Sequence, residues 1–256
     1  MSRMISLRLA ESPGCLPLFL MYQETVAANA SHWPQVETSF LKAMWNFDQN
    51  FALGIANQGD KNGKGDFFTG LVALLLENCT GKTLHGRRAV PGLIFPKHNL
   101  DTSYPARGTV EVLIETKVAG APKPIRSPKQ GIPRGQPGSS NLDKRVKKAG
   151  FKAIDLKAEW ARNAGQGGGP AGDLLTWLRQ SKPLSFLFLA IRVVDLRDFE
   201  RTLFFANAAN QMMDAVGLVA YQPKEAGDGY EICPIPPHLE LDRVLSRVCT
   251  ALRNLP

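Results

Sequence analysis

The sequence predicts an α/β fold with a mixed central sheet flanked by helices. Three observations carry that prediction. Leu184–Val194 is almost wholly apolar, the pattern of a strand buried on both faces. Thr109–Val118 alternates, with Val110, Val112, Ile114 and Thr116 facing one way and Glu111, Leu113, Glu115 and Lys117 the other. Leu142, Val146, Ala149, Ala153, Leu156 and Trp160 recur at steps of four and three, the apolar seam of an amphipathic helix.

The remaining elements follow in chain order. Residues 1–38 read as irregular, with a short strand near Leu18–Tyr22. Phe40, Met44, Phe47, Phe51 and Ile55 lie at helical spacing and predict a helix from Ser39 to about Asn57. Gly59–Gly65 is polar and glycine-rich, hence a loop. Asp66 is placed to cap a helix that runs to Asn78 or Cys79 and closes at Gly81. That helix is apolar on nearly every side, so it is expected to be buried, and its one charged side chain, Glu77, then needs a partner. Ala89–Phe95, His98–Tyr104 and Thr109–Val118 read as three extended runs. Residues 119–141 hold five prolines among glycines and basic residues and predict a long loop. Ser139 or Ser140 is expected to cap a helix to about Arg162, followed by a linker at Gly165–Gly172 and a short helix at Asp173–Arg179. After the strand at Leu184–Val194 come a helix at Arg197–Val216, a strand at Leu218–Tyr221 and a closing helix at Leu239–Leu252. No linker divides the chain. Residues 1–256 are expected to form one domain, with a core at about 66–221, a helical extension at 1–65 and a closing segment at 222–256.

Composition narrows the function. The chain has 256 residues, 44% hydrophobic, which argues against disordered, collagen-like and disulfide-scaffold classes. Its 31 Lys and Arg exceed 23 Asp and Glu by +8. Residues 107–162 hold thirteen of those bases against five acids, so one segment carries the whole excess. A localised anion-binding surface follows, and a polyanionic partner with it. No segment has the eighteen apolar residues of a membrane span. Cys15, Cys79, Cys233 and Cys249 show no zinc spacing, so free thiols and a cytoplasmic location are expected. Gly81-Lys82-Thr83 lacks the earlier glycine of a phosphate loop, and His85 and His98 read as surface residues.

The chemistry concentrates at Asp101, then thirteen residues, then Glu115-Thr116-Lys117. Glu115 and Lys117 share a face of one strand, and an Asp on the neighbouring strand can meet them. Two converging carboxylates form a hard oxygen site suited to Mg²⁺. Beside a basic surface, such a site fits phosphodiester hydrolysis, in which the lysine orients water or helps deprotonate it and offsets developing charge.

In these residues, and in the order helix, three strands, helix, strand over about residues 66–195, the sequence resembles the PD-(D/E)XK nuclease superfamily, which includes most type II restriction endonucleases. The resemblance implies a restriction-endonuclease-like three-layer core. It implies Asp101 and Glu115 as metal ligands, the Thr116 carbonyl as a further one, Lys117 as the catalytic lysine and Glu77 as an added ligand from the first core helix. Asn99-Leu100 stands before the motif Asp where the family has proline, and Glu111 is the alternative first acid. The activity implied is Mg²⁺-dependent cleavage of double-stranded DNA by a homodimer, as in sequence-specific restriction enzymes. Arg126, Lys129, Gln130 and Arg134 in the loop, and Lys144, Arg145, Lys148 and Lys152 on the following helix, are the expected DNA contacts. A repair or recombination nuclease of the same fold and a non-catalytic basic nucleic-acid-binding protein are the alternatives.

Overall fold

The computed structural model describes residues 29–57, 61–123, 135–165, 170 and 172–255. The expected strand at Leu18–Tyr22 lies outside these residues, as do Arg126, Lys129, Gln130 and Arg134 and most of the linker at 165–172. After a 3₁₀ turn at Trp33–Gln35 the elements are α1 (Glu37–Ala52), α2 (Lys61–Thr80), β1 (His85–Gly86), β2 (Ala89–Val90), β3 (His98–Asn99), β4 (Thr102–Tyr104) and β5 (Val112–Ala119). Then come α3 (Leu142–Asn163), α4 (Leu174–Gln180), β6 (Leu184–Arg192), α5 (Leu196–Met212), β7 (Ala215–Pro223), β8 (Tyr230–Ile232), a 3₁₀ turn at Pro237–Leu239 and α6 (Leu241–Arg253).

Six strands form one mixed sheet in the order β1-β4-β5-β6-β7-β8. The central strands β5, β6 and β7 are parallel; the pairs β1–β4, β4–β5 and β7–β8 are antiparallel. The strand alternation explains the three layers. Val112 and Ile114 of β5, with Phe186, Phe188 and Ala190 of β6, pack against α1, α2 and α6. Leu187, Leu189 and Ile191, on the other face of β6, pack against α3 and α5. Each such side chain removed from water contributes about 1.5–3 kcal/mol. The segment expected as an N-terminal extension supplies part of this core: Phe40 of α1 lies edge-on to Tyr221 of β7, ring centroids 5.9 Å apart.

A buried polar network ties the first layer to the sheet ends. Lys64 Nζ of α2 donates to Asp48 Oδ1 of α1 at 2.8 Å, the Tyr230 hydroxyl to Asp48 Oδ2 at 2.6 Å, and Arg192 Nε to the Tyr230 oxygen at 2.9 Å. Burial and the Asp48 charge push the Tyr230 phenol well above its ordinary pKa, so it stays a donor.

Several expectations are corrected. Only Ala89–Val90 of the first predicted run is strand, and it pairs with His98–Asn99 in a separate two-stranded sheet. Pro91 and Gly92 end it, and the edge of the main sheet is taken by His85–Gly86, which carries too short a pattern to be seen in sequence. The run His98–Tyr104 splits into β3 and β4. Val110 precedes β5 and joins Leu113 and Leu156 rather than the Val112 face. α2 begins at Lys61, so Asp66 is not its cap and instead pairs with Arg87 at 2.7 Å. Asn141, not Ser139 or Ser140, takes the N-cap position of α3, without a side-chain capping hydrogen bond, and α5 ends at Met212, leaving Val216 to β7. His98 is buried, not a surface residue: its Nε2 lies 2.6 Å from Asp155 Oδ2. Cys79 and Cys249 are joined in a disulfide linking the end of α2 to α6, Cα–Cα 6.3 Å. Free thiols at those positions are therefore ruled out, and the support they lent to a cytoplasmic location goes with them. Cys233 is free and buried, its thiol pushed up to about 11.

Two predictions follow from this packing. Denatured without reductant, the chain should titrate two thiols with a thiol reagent, and four after reduction; Cys249→Ser should lose about 2–4 kcal/mol in chemical unfolding. The second concerns Asp155 on α3, which accepts from Ile94 N at 2.7 Å, Phe95 N at 3.1 Å and His98. Burial alone would raise its pKa, but the His98 and backbone hydrogen bonds outweigh it and hold the carboxyl below the usual range. A lowered carboxyl pKa stabilises above the unfolded value and loses that contribution as pH falls through the folded one. The stability advantage of the native chain over Asp155→Asn should shrink as pH falls below about 4, read from urea midpoints against pH.

Candidate active site

β5 positions the site. Val112, Leu113 and Ile114 make it a strong strand former, and its place between β4 and β6 fixes its orientation. Thr102 pairs with Ile114, which sets Asp101 opposite Glu115. β4 stops there, so the Thr116 N–H beyond its end is taken by Asp101 Oδ2 at 2.9 Å. Thr116 turns its hydroxyl toward α2, where it lies 2.5 Å from Thr69 Oγ1. Glu115 and Lys117 project to the opposite face, toward α3.

The structure brings Asp101, Glu115 and Lys117 together. Lys117 Nζ donates to Asp101 Oδ2 at 2.7 Å, to the Thr116 carbonyl at 2.8 Å and to Glu115 Oε2 at 3.2 Å. The other oxygen of Glu115 receives a second ammonium: Lys152 Nζ of α3 donates to Glu115 Oε1 at 2.6 Å and to the Asn99 carbonyl at 2.7 Å. Glu115 is 2% exposed and Lys152 7%, whereas Asp101 and Lys117 are half-buried at the mouth of the site. Two carboxylates thus face two ammonium groups. Burial by itself would lower the Lys117 pKa; the charges of Glu115 and Asp101 outweigh it and raise the pKa above the ordinary lysine value. In this arrangement Lys117 is a cation and a donor at neutral pH, not a base.

The oxygens gathered on Lys117 Nζ, one from each carboxylate and one backbone carbonyl, are the donor types that a hard divalent cation takes. Asp101 and Glu115 with the Thr116 carbonyl fit such an ion. No cluster of three or more His, Cys, Asp or Glu occurs among the described residues, so the remaining positions would fall to water and substrate oxygens.

Two other expected acids lie elsewhere. Glu77 is only partly buried, near the end of α2, where its carboxylate accepts from Leu84 N at 2.8 Å; among the described residues it contacts neither Asp101, Glu115 nor Lys117. The residue that α2 brings to the motif strand is Thr69, eight positions earlier. Glu111 precedes β5 and pairs with Lys182 at 2.7 Å, so Asp101 is the acid that meets Glu115. Of the expected DNA contacts on α3, Lys144 and Lys148 are exposed and Arg145 is half-buried, while Lys152 points inward to Glu115 and offers no surface contact. Sequence reasoning placed Lys152 in the wrong role although its spacing was informative: it stands three residues after Ala149 and four before Leu156, on the inward stripe, beside two alanines that leave room for a long side chain.

Glu115 is a buried carboxylate held from both sides. Lys152→Met should destabilise the chain by about 3 kcal/mol because it leaves that buried charge with Lys117 alone, and Glu115→Gln in the same chain should recover part of the loss, measured as a double-mutant cycle in urea. No protein-family model, curated protein or solved structure matches this chain.

Proposed function

We propose that this chain is a Mg²⁺-dependent nuclease that hydrolyses phosphodiester bonds of double-stranded DNA, built on a restriction-endonuclease-like core and acting as a homodimer with sequence specificity. The observation that carries the reading is the convergence of Asp101, Glu115 and the Thr116 carbonyl on the Lys117 ammonium, on the strand that opens onto α3. The order of α2, the strands through β5, α3 and β6 agrees with that core. The exposed Lys144, Lys147 and Lys148 on α3 supply positive surface for phosphates.

Asp101 and Glu115, with the Thr116 carbonyl, would hold the metal. When bound, that ion would polarise the phosphodiester and lower the pKa of an attacking water. Everything else falls to the chain. Lys152 fixes the Glu115 carboxylate by occupying Oε1, so that Oε2 faces the open side. The Thr116 N–H fixes Asp101 in the same way. Lys117 would donate to the water or to a phosphoryl oxygen and offset negative charge developing there. A two-fold dimer would present one such site to each strand, which double-strand cleavage requires.

Incubation with unmethylated plasmid or phage DNA tests this. Cleavage should require Mg²⁺ or Mn²⁺, give discrete fragments, and fall about a thousandfold, or about 4 kcal/mol, in Asp101→Asn and Lys117→Met, while DNA affinity stays within a few-fold. Lys117→Met should also bind Mn²⁺ about tenfold more tightly, or about 1.4 kcal/mol, because it removes the cation that competes for the same oxygens. Intact DNA with both metals across varied substrates would refute the nuclease reading.

A further inference from the structure

α3 lays two cationic side chains along β5. Lys152 reaches Glu115, and Arg145, seven residues earlier on the same stripe, reaches the Val118 carbonyl with Nη1 at 2.8 Å. The two differ in one respect. Lys152 has a carboxylate; Arg145 is half-buried, held below its ordinary pKa by burial, and meets no carboxylate among the described residues. A guanidinium partly removed from water is costly without a counter-charge.

Arg145 borders a cavity of about 70 Å³ beyond the end of β5, which it shares with Lys64, Gly120, Ala121, Ser140 and Asn141. At about 10–15 Å³ of such volume per water, that is room for a tetrahedral oxyanion. The walls are fixed. Gly120 has φ +89°, and a Cβ there would lie 2.5 Å from the Arg192 carbonyl; at Gly138 it would lie 2.3 Å from the same atom. The Asp198 carboxylate accepts from Gly138 N and Ser139 N, both at 2.9 Å, and so is already spent on the wall. Lys64 lies in the wall with its ammonium held by Asp48 at 2.8 Å and the Gly120 carbonyl at 3.5 Å, and Ser140 Oγ accepts from Gln136 Nε2 at 2.6 Å, leaving its proton to donate.

We propose that this cavity binds a phosphate oxyanion through Arg145 and the Ser140 hydroxyl, and that the occupant is a backbone phosphate of the same DNA strand that is cut at Glu115. The oxyanion site stands without the nuclease reading; the identity of the phosphate rests on it. Seven residues of helix span about 10 Å, which measured along a duplex axis at about 3.4 Å per step is about three nucleotides. Arg145 therefore sets the register of the strand over the carboxylates rather than touching the reacting group.

The test uses the full chain in two arms. In the first, inorganic phosphate is titrated calorimetrically into the native chain, Arg145→Met and Arg145→Lys. Millimolar binding by the native chain, lost at least tenfold in Arg145→Met and partly kept in Arg145→Lys, is expected; circular dichroism of each variant shows that it is folded. No phosphate binding, or equal binding by folded Arg145→Met, overturns the site. In the second arm, duplex DNA affinity is measured against salt. Arg145→Met should lower the slope of log K against log salt by about one. An unchanged slope with phosphate binding intact overturns the DNA assignment and leaves a free-phosphate site. Phosphate binding by a chain that neither binds nor cuts DNA would sink the nuclease reading while the oxyanion site stands.

Discussion

The arrangement depends on one buried carboxylate. Glu115 sits in the middle of the sheet, where an isolated charge would cost several kcal/mol, and it is tolerated because an ammonium approaches each of its oxygens. Lys117 comes from the same strand two residues on, and Lys152 from the helix that crosses above it. Strand and helix are thereby held in one register: a shift of β5 by a single residue would turn Glu115 and Lys117 together toward α2 and leave Lys152 without its carboxylate. The same pairings that neutralise the charge also aim Asp101 and Glu115 at a common point. Stability and the proposed chemistry therefore rest on the same contacts, and the half-exposed half of the cluster, Asp101 and Lys117, is the half free to rearrange.

The two faces of the sheet divide the labour. On one, α1, α2 and α6 pack Phe, Leu and Val side chains around the Asp48–Lys64–Tyr230–Arg192 network and are closed by the Cys79–Cys249 bridge. On the other, α3 and α5 pack fewer large side chains, and α3 carries small residues at Ala149 and Ala153 that let it approach β5 closely. That close approach is what lets Lys152 reach Glu115 and Arg145 reach the end of the strand.

The basic block of residues 107–162 changes meaning once it is folded. In sequence it is a uniform excess of positive charge. In the fold, Lys117 and Lys152 neutralise the candidate site, and Lys157 is fully buried, donating to the Leu178 and Ser181 carbonyls at 2.6 Å and to Asp214 at 3.0 Å. Of the basic residues of α3, Lys144, Lys147, Lys148 and Arg162 are exposed, Arg162 beside Glu159.

The sequence by itself determined the class of fold, the long elements and the motif residues. Periodicity registers the side of an element that meets a core, so β5, β6, α3 and α6 were legible to within a few residues, and the spacing singled out Glu115 and Lys117 with Asp101 as the expected first acid and Glu111 as its alternative. What it could not show was anything set by partners distant in the chain. Short strands such as His85–Gly86 exist only because β4 lies beside them. Glu77 looked like a ligand because its helix is apolar, yet eight residues of rise carry it away from the motif strand, and Thr69 stands there instead. Lys152 looked like surface because lysine usually is, and Cys79 looked free because its partner lies 170 residues on. Only the tertiary structure decided these, because the energy of a buried charge or a cross-link depends on which groups from elsewhere in the chain arrive within about 3 Å of it, and local pattern carries no record of that distance.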